Sequence, residues 1–480
     1  MKLRFILAVM MMITTAAAKN NLWDNGTLKV SDNQRFLQFS NGKPFFWLGE
    51  TGWLMPQRLN REEVDFYLTK CEKAGYNVVQ IQVINSIPAI NTYGQMSFDK
   101  DFDFSHADTH GVYGYWNHLD YIINTAARHN IYIGMVCIWG SMVKSGAINE
   151  EQAKTYGAFL ANRYKKCPNI IWIMGGDIQG DIHPEVWHAM ANTIKSIDKK
   201  HLMTYHPRGR HTSAQWLNNA KWLDFNTFQS GHRRYGQHMG NTTYAIPDST
   251  EEDNWMYVDS AWNYKPIKPV IDSEPSYEGI PKGLHDNDEP RWSAREVRRY
   301  AYWSVFAGSC GHTYGNNNIM QFVKPGFPGA YFADGIDKPW YKAVDDPGFN
   351  QMKYLKRLML MLPYLERTPC QKAVIDNGTR YDRMAATKGN DYLLAYVYNP
   401  KPFTLDLTVI KGKKKKVWWM NAEDGTVVLL GTYDNRKTTF SPTPTTGDGV
   451  LIATDSEAKY DFSTIADKDA NTPANVDRME

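Results

Sequence analysis

Two acidic residues stand immediately after short apolar runs. Asp177 closes Trp172-Ile173-Met174-Gly175-Gly176-Asp177, and Glu274 lies in Asp272-Ser273-Glu274-Pro275. A pair of carboxyl groups on opposite sides of a bond can split a glycoside. One protonates the leaving oxygen while the other attacks the anomeric carbon or activates water. Taken singly, Asp177 also reads as a turn or helix-cap residue and Glu274 as half of a structural ion pair. Asp181 and Asp272 are the nearest substitutes, with Glu50, Glu278 and Asp334 behind them.

The elements that must position these acids are eight apolar runs alternating with eight helical patterns. The runs are 44–49, 77–83, 131–139, 169–174, 202–206, 223–229, 269–273 and 309–314. They are rich in Val, Ile, Phe, Tyr and Trp and nearly continuous, as strands buried on both faces are. The helical patterns are 60–74, 115–129, 150–166, 184–199, 212–220, 252–262, 293–306 and 350–362, the first with a cap at Asn60. Eight alternations in one domain predict an α/β fold, a (β/α)8 TIM barrel. A doubly wound sheet is the structural alternative.

Such a barrel gathers its chemistry at the C-terminal strand ends. The acids then follow strands 4 and 7, on nearly opposite sides of the ring. The residues expected around them as substrate-binding groups are Glu50, Trp53, Gln80, Gln82, Asn85, Trp139, His206, Arg208, Gln229, His232, Tyr277, His312 and Tyr314. Amides and imidazoles bind hydroxyls, and rings stack on the C–H faces of sugars. Each His reads equally well as a packed structural group, and each ring as rim core. A retaining reaction calls for carboxyl groups about 5–5.5 Å apart and an inverting one for roughly 6.5–9.5 Å. The acid of the pair must hold its proton near neutrality, so one of the two carboxyl groups is expected to have a raised pKa.

Past Pro363 and Pro369 the pattern changes to short strands at 373–375, 391–398, 405–409, 416–420, 426–430, 438–441 and 449–454. Turn signals such as Asp424-Gly425 separate them. This predicts an antiparallel β-sandwich at 366–460 behind a barrel domain at 19–365, with a polar, loose tail at 461–480. The sandwich reads as a glycan contact or, more commonly, as a stabilising cap. The basic run Lys411 and Lys413–Lys416 reads as a solvated turn into a strand, with a polyanion contact as the sharper alternative.

Bulk properties narrow the class. The 480 residues carry 54 Lys and Arg against 51 Asp and Glu, a net charge of +3. So even a balance argues against nucleic acid or a membrane surface as the main partner. The opening Met1-Lys2-Leu3-Arg4, the apolar run 5–18 and the small residues Ala16-Ala17-Ala18 read as an export signal at 1–18. No Cys follows the apolar run, so no lipid anchor is expected, and the protein is expected outside the cell or in the periplasm. The run is short for a membrane span, and no later stretch suggests insertion. Five dispersed Cys do not read as a disulfide framework. No His/Cys spacing suggests zinc, and the expected chemistry calls for no metal and no cofactor.

The stretch Pro44-Phe45-Phe46-Trp47-Leu48-Gly49-Glu50-Thr51-Gly52-Trp53 resembles the opening strand of the apiosidase-like glycoside hydrolases, family 140. Gly75-Tyr76-Asn77-Val78-Val79-Gln80 and the two acid-bearing motifs resemble that family as well. The resemblance covers nearly the whole chain after the export signal. The C-terminal region is similar to the collagen-binding-type domain that often follows this barrel. The resemblance implies hydrolysis of a β-D-apiofuranosyl linkage in rhamnogalacturonan-II, a pectic plant polysaccharide. It implies Asp177 as acid/base and Glu274 as nucleophile. Two other readings stay open: a glycosidase of different specificity (an arabinofuranosidase or an endo-glycanase), and a barrel that binds glycan without turnover.

Overall fold

The computed structural model describes residues 21–99, 103–237, 252–284, 286–327, 336–442 and 447–467. The expected export signal and Asp334 lie outside the described residues.

Eight parallel strands form the barrel: β1 (Trp47–Thr51), β2 (Val78–Gln82), β3 (Tyr132–Val136), β4 (Ile170–Ile178), β5 (Met203–Pro207), β6 (Asn226–Gln229), β7 (Val270–Asp272) and β8 (Gly311–Tyr314). They pair in the order β5-β4-β3-β2-β1-β8-β7-β6, and the short strand His211–Thr212 adds antiparallel to β6. At the seam between β5 and β6, side chains bridge the strands. Thr204 Oγ1 donates to Phe225 O at 2.7 Å, and Thr227 Oγ1 to Tyr205 O at 2.5 Å. The barrel is therefore nearly closed. Inside it, Trp47 donates its indole N–H to Thr313 Oγ1 at 3.0 Å and meets the Phe225 ring at 5.8 Å between centroids.

The main helices are α1 (Arg61–Lys73), α2 (Tyr115–Arg128), α3 (Glu150–Tyr164), α4 (Pro184–Ile197), α5 (Trp255–Asn263), α6 (Ala294–Ala307) and α7 (Pro347–Leu360). Reciprocal capping boxes start three of them, at Asn60/Glu63, Asn149/Gln152 and Ser293/Glu296. Each satisfies N-terminal amides that the helix itself leaves without partners. The helix expected at 212–220 shrinks to a single turn, Ala214–Leu217, because His211–Thr212 pairs with β6 instead.

The first apolar run, 44–49, is divided between two sheets. Pro44–Phe45 joins Leu28–Val30 and Leu37–Phe39 in a small antiparallel sheet, and β1 begins only at Trp47. Strand β4 runs on to Ile178, past the expected end at Met174.

The C-terminal region is a β-sandwich of a six-stranded and a three-stranded antiparallel sheet around its own core, which includes Leu393, Leu405, Val417 and Leu451. The strand Ala385–Lys388 was not expected, since Ala-Ala-Thr-Lys carries little strand signal. The basic run forms a turn leading into a strand: buried Lys415 donates to the carbonyls of Ile410, Lys411 and Gly412, and Lys414 pairs with Asp434. The tail expected to be loose from 461 is docked as far as Asp467. Phe462 and Ile465 are buried, and Asp467 pairs with Lys353 and Arg357.

Candidate active site

A pocket of about 270 Å3 opens at the C-terminal end of the barrel strands, and both acids line it. Asp177 reaches it through a bulge in β4. Gly175 pairs with His206 and Ile178 with Pro207, so Gly176 and Asp177 are extra residues looped out of the ladder. The two glycines are structural requirements. Gly175, Gly176 and Asp177 have φ of +87°, +116° and +55°, a region that L side chains enter at a cost. A Cβ on Gly175 would lie 2.4 Å from His206 O, and one on Gly176 2.7 Å from the Trp139 ring and 2.9 Å from Gly140 N. The bulge presses the chain against Trp139 and turns the Asp177 carboxylate into the pocket.

Glu274 follows β7 and is almost wholly buried, 7% exposed. His206 Nε2 lies 3.1 Å from its Oε2, and His232 Nε2 lies 3.1 Å from its Oε1. His206 is itself held: its Nδ1 is 3.1 Å from Ser273 Oγ, and its ring is edge-on to Trp53 at 5.3 Å. Gln80 anchors the same turn by donating to Ser273 O at 2.9 Å. The imidazole of His232 meets the Tyr277 ring at 4.7 Å.

These surroundings push the two acids apart. Burial raises the pKa of Glu274, but hydrogen bonds and charge from His206 and His232 outweigh it and bring the group down to about 2. Asp177 touches solvent through the pocket yet is flanked by enough protein that desolvation dominates. With the nearby Glu274 charge, this raises it to about 6, against the opposing pull of His206, the Gly209 N–H and Arg208. One carboxyl thus holds a proton in mildly acidic solution while its neighbour stays ionised, the division of labour that acid-assisted bond cleavage needs.

Of the expected binding residues, Trp53, Gln82, Trp139, Arg208, Gln229, His232 and Tyr277 line the pocket. His206 and Gln80 stand behind Glu274. Asn85, on the loop after β2, is not among the lining residues, and its Oδ1 accepts from Ser86 Oγ at 3.3 Å. Three expectations are corrected. Strands β8 and β1 pair His312 with Leu48 and Tyr314 with Glu50, which puts these side chains on the outer face of the barrel. His312 Nδ1 faces Ser304 Oγ of α6 at 3.3 Å, and Tyr314 donates to Glu278 at 2.5 Å. Glu50 is buried beside Cys71 and Tyr76, where desolvation holds its pKa well above normal.

The same parity takes Asp272 away from the pocket. Asp272 pairs with His312, also faces outward, and accepts from Ser230 Oγ and Asn254 Nδ2. Asp181 is exposed and Glu278 buried, and neither lines the pocket. Sequence reasoning missed Arg210, Arg233, Leu284 and Met320, which complete the wall. Arg210, Arg233 and Leu284 sit on loops and Met320 ends the short helix Asn317–Met320, and the one sequence signal was the position of Arg210 and Arg233 beside Arg208 and His232.

The family model "Apiosidase-like, catalytic domain" matches residues 31–366, and the model "Putative collagen-binding domain of a collagenase" matches 368–454. A solved structure titled "Glycoside hydrolase" is 56% identical, with a TM-score of 0.88, over 91% of this chain and 99% of its own. A glycoside hydrolase family 5 structure from Bacteroides vulgatus ATCC 8482 is 57% identical, with a TM-score of 0.89, over 91% and 96%. Two curated relatives, from Aspergillus flavus and Aspergillus oryzae, are each named "Probable mannan endo-1,4-beta-mannosidase F". They are 22% identical over 300 residues, which is 53% of this chain and 62% of theirs, less than two thirds of their length. The barrel match together with a likeness over nine tenths of the chain at more than half identity decides the assignment: this chain belongs to the apiosidase-like family of glycoside hydrolases.

Proposed function

We propose that this glycosidase is exported and removes a pectic side chain by cleaving the β-D-apiofuranosyl linkage of rhamnogalacturonan-II with retention of configuration. Asp177 protonates the leaving oxygen while the Glu274 carboxylate attacks the anomeric carbon. The resulting glycosyl ester is hydrolysed by water that Asp177, now a base, deprotonates. The observation that carries the reading is the unequal pair: an acid raised to about 6 opposite a carboxylate held near 2 by two imidazoles. The pocket supports a small terminal sugar. Its volume of about 270 Å3 falls just below the usual span of ligand sites, roughly 300–1,000 Å3, and Trp53, Trp139, Leu284 and Met320 give it apolar walls. Export rests on the basic start, apolar run and Ala-Ala-Ala of the first 18 residues.

The test is sugar release from rhamnogalacturonan-II by wild type, Asp177→Ala and Glu274→Ala, with the product's first-formed anomer read by NMR. Wild type should free apiose or an apiose-terminated oligosaccharide, and each variant should lose roughly 100- to 10,000-fold in rate. Release of nothing by wild type defeats the apiosyl specificity. Near-normal rates in either variant defeat the assigned pair, and an inverted product defeats Glu274 as nucleophile.

A further inference from the structure

The sandwich reaches the active-site segment that follows β6. His232, the donor to Glu274, is three residues ahead of Tyr235. Tyr235 is fixed on several sides. Its N–H donates to Glu252 Oε1 at 2.9 Å, and its hydroxyl to Asp253 Oδ1 at 2.6 Å. The sandwich supplies the rest. Tyr381 donates its hydroxyl to the same Glu252 Oε1 at 2.9 Å, and its ring packs edge-on against Tyr235 at 5.3 Å. The Arg380 guanidinium lies over the Tyr235 ring at 5.1 Å. Beneath them, buried Arg299 of α6 pairs with Glu252 and sits under the Tyr381 ring at 4.7 Å.

Glu252 is therefore a junction. One carboxylate collects the β6 segment, a barrel helix and the sandwich, and it is completely buried. A buried carboxylate with three donors from three elements is stable only while all three stay in place. Removing the sandwich's donor leaves the acceptor short and frees the aromatic face of Tyr235. The segment that loosens is the one whose other end carries His232.

We propose that the sandwich serves catalysis at a distance: Tyr381, through Glu252 and Tyr235, is a positioning residue that keeps His232 on Glu274. This rests on the reading of Glu274 as a catalytic carboxylate, and the test separates the two.

Full-length Tyr381→Phe, which removes one hydroxyl, and Tyr381→Ala, which also removes the ring, are compared with wild type on the rhamnogalacturonan-II assay. The Ala variant should lose about tenfold in kcat, the scale of one hydrogen bond to a charged group, with KM little changed. The Phe variant should lose less. The acid limb of kcat/KM should move to higher pH, because Glu274 would lose a donor that keeps it ionised. Amide exchange over residues 230–237, read by mass spectrometry without substrate, should speed up. Leu405→Ala, in the sandwich core and with no part in the junction's bonds, should lower Tm yet leave the acid limb and the 230–237 exchange in place. Unchanged exchange and an unmoved limb in Tyr381→Ala overturn the proposal. So does an equal shift of both in Leu405→Ala, which would reduce the sandwich to general support. Full activity in Glu274→Ala would instead defeat the catalytic reading, and the exchange measurement would still decide the clamp.

Discussion

Two imidazoles make Glu274 what it is. A carboxylate buried this deeply would ordinarily climb in pKa, yet His206 and His232 bring it to about 2, while Asp177 sits at about 6. The signs set the pH profile. In the proposed reaction the Glu274 nucleophile must be ionised, so activity is lost as pH falls toward about 2. The acid must be protonated, so activity is lost as pH rises through about 6. We expect kcat/KM to form a bell between these limits, with limbs that belong to the pair as a coupled unit. Replacing His206 by Ala should move the acid limb upward, and the basic limb upward as well, because His206 also holds the Asp177 pKa down. A profile that is flat through pH 6 would show that Asp177 is not the proton donor.

At the scale of elements, the bulge in β4 matters more than any helix. Without it, Asp177 would continue the strand's inward–outward alternation. With it, two residues are spent on a loop that delivers one carboxylate. Gly176→Ala tests this. The added Cβ would meet the Trp139 ring and Gly140 N below 3 Å, at a φ of +116°. Strain of this kind costs about 1–3 kcal/mol, and displacing a catalytic group by around 1 Å can cost roughly 100-fold in rate. We therefore expect a folded variant with a lowered Tm and at least that loss of kcat. Wild-type turnover would mean that the bulge does not aim Asp177.

Across the whole molecule, α6 is the shared wall of barrel and sandwich. Arg298 holds Asp448 with two bonds, at 2.6 and 3.1 Å, and Tyr396 donates to the same carboxylate at 2.8 Å. Tyr302 stacks on Tyr396 at 4.5 Å, and Arg367 ties β8's approach to the sandwich through Ser309 O at 2.6 Å. Arg298 and Asp448 are 3% and 1% exposed. Breaking a buried pair by removing one partner costs about 3–5 kcal/mol, because the other charge is left uncompensated. Asp448→Ala should lower stability by that amount in denaturant titrations, with barrel and sandwich of the wild type unfolding in one transition. Two well-separated wild-type transitions would show that the interface couples the domains only weakly.

Much of this was legible in the amino-acid order. Continuous apolar runs alternating with amphipathic patterns specify a parallel sheet covered on both faces, and eight of them fit a closed barrel better than an open doubly wound sheet. Barrel geometry then places Asp177 and Glu274 at strand ends facing each other, and His206 and His232 near them. What the order could not decide was direction. Glu50, His312 and Tyr314 are polar residues at strand ends just as His206 is, but the β8–β1 register turns them outward. On strands of four or five residues, a slip of one position reverses every side chain, and only the closed hydrogen-bond ladder chooses the parity. The wall formed by Arg210, Arg233, Leu284 and Met320 likewise comes from loops and one short helix after the strands, whose paths local sequence does not encode. The proposed acid pair can be picked out in the chain; its protonation, its pocket and its link to the sandwich exist only once residues far apart in sequence share one low-dielectric space.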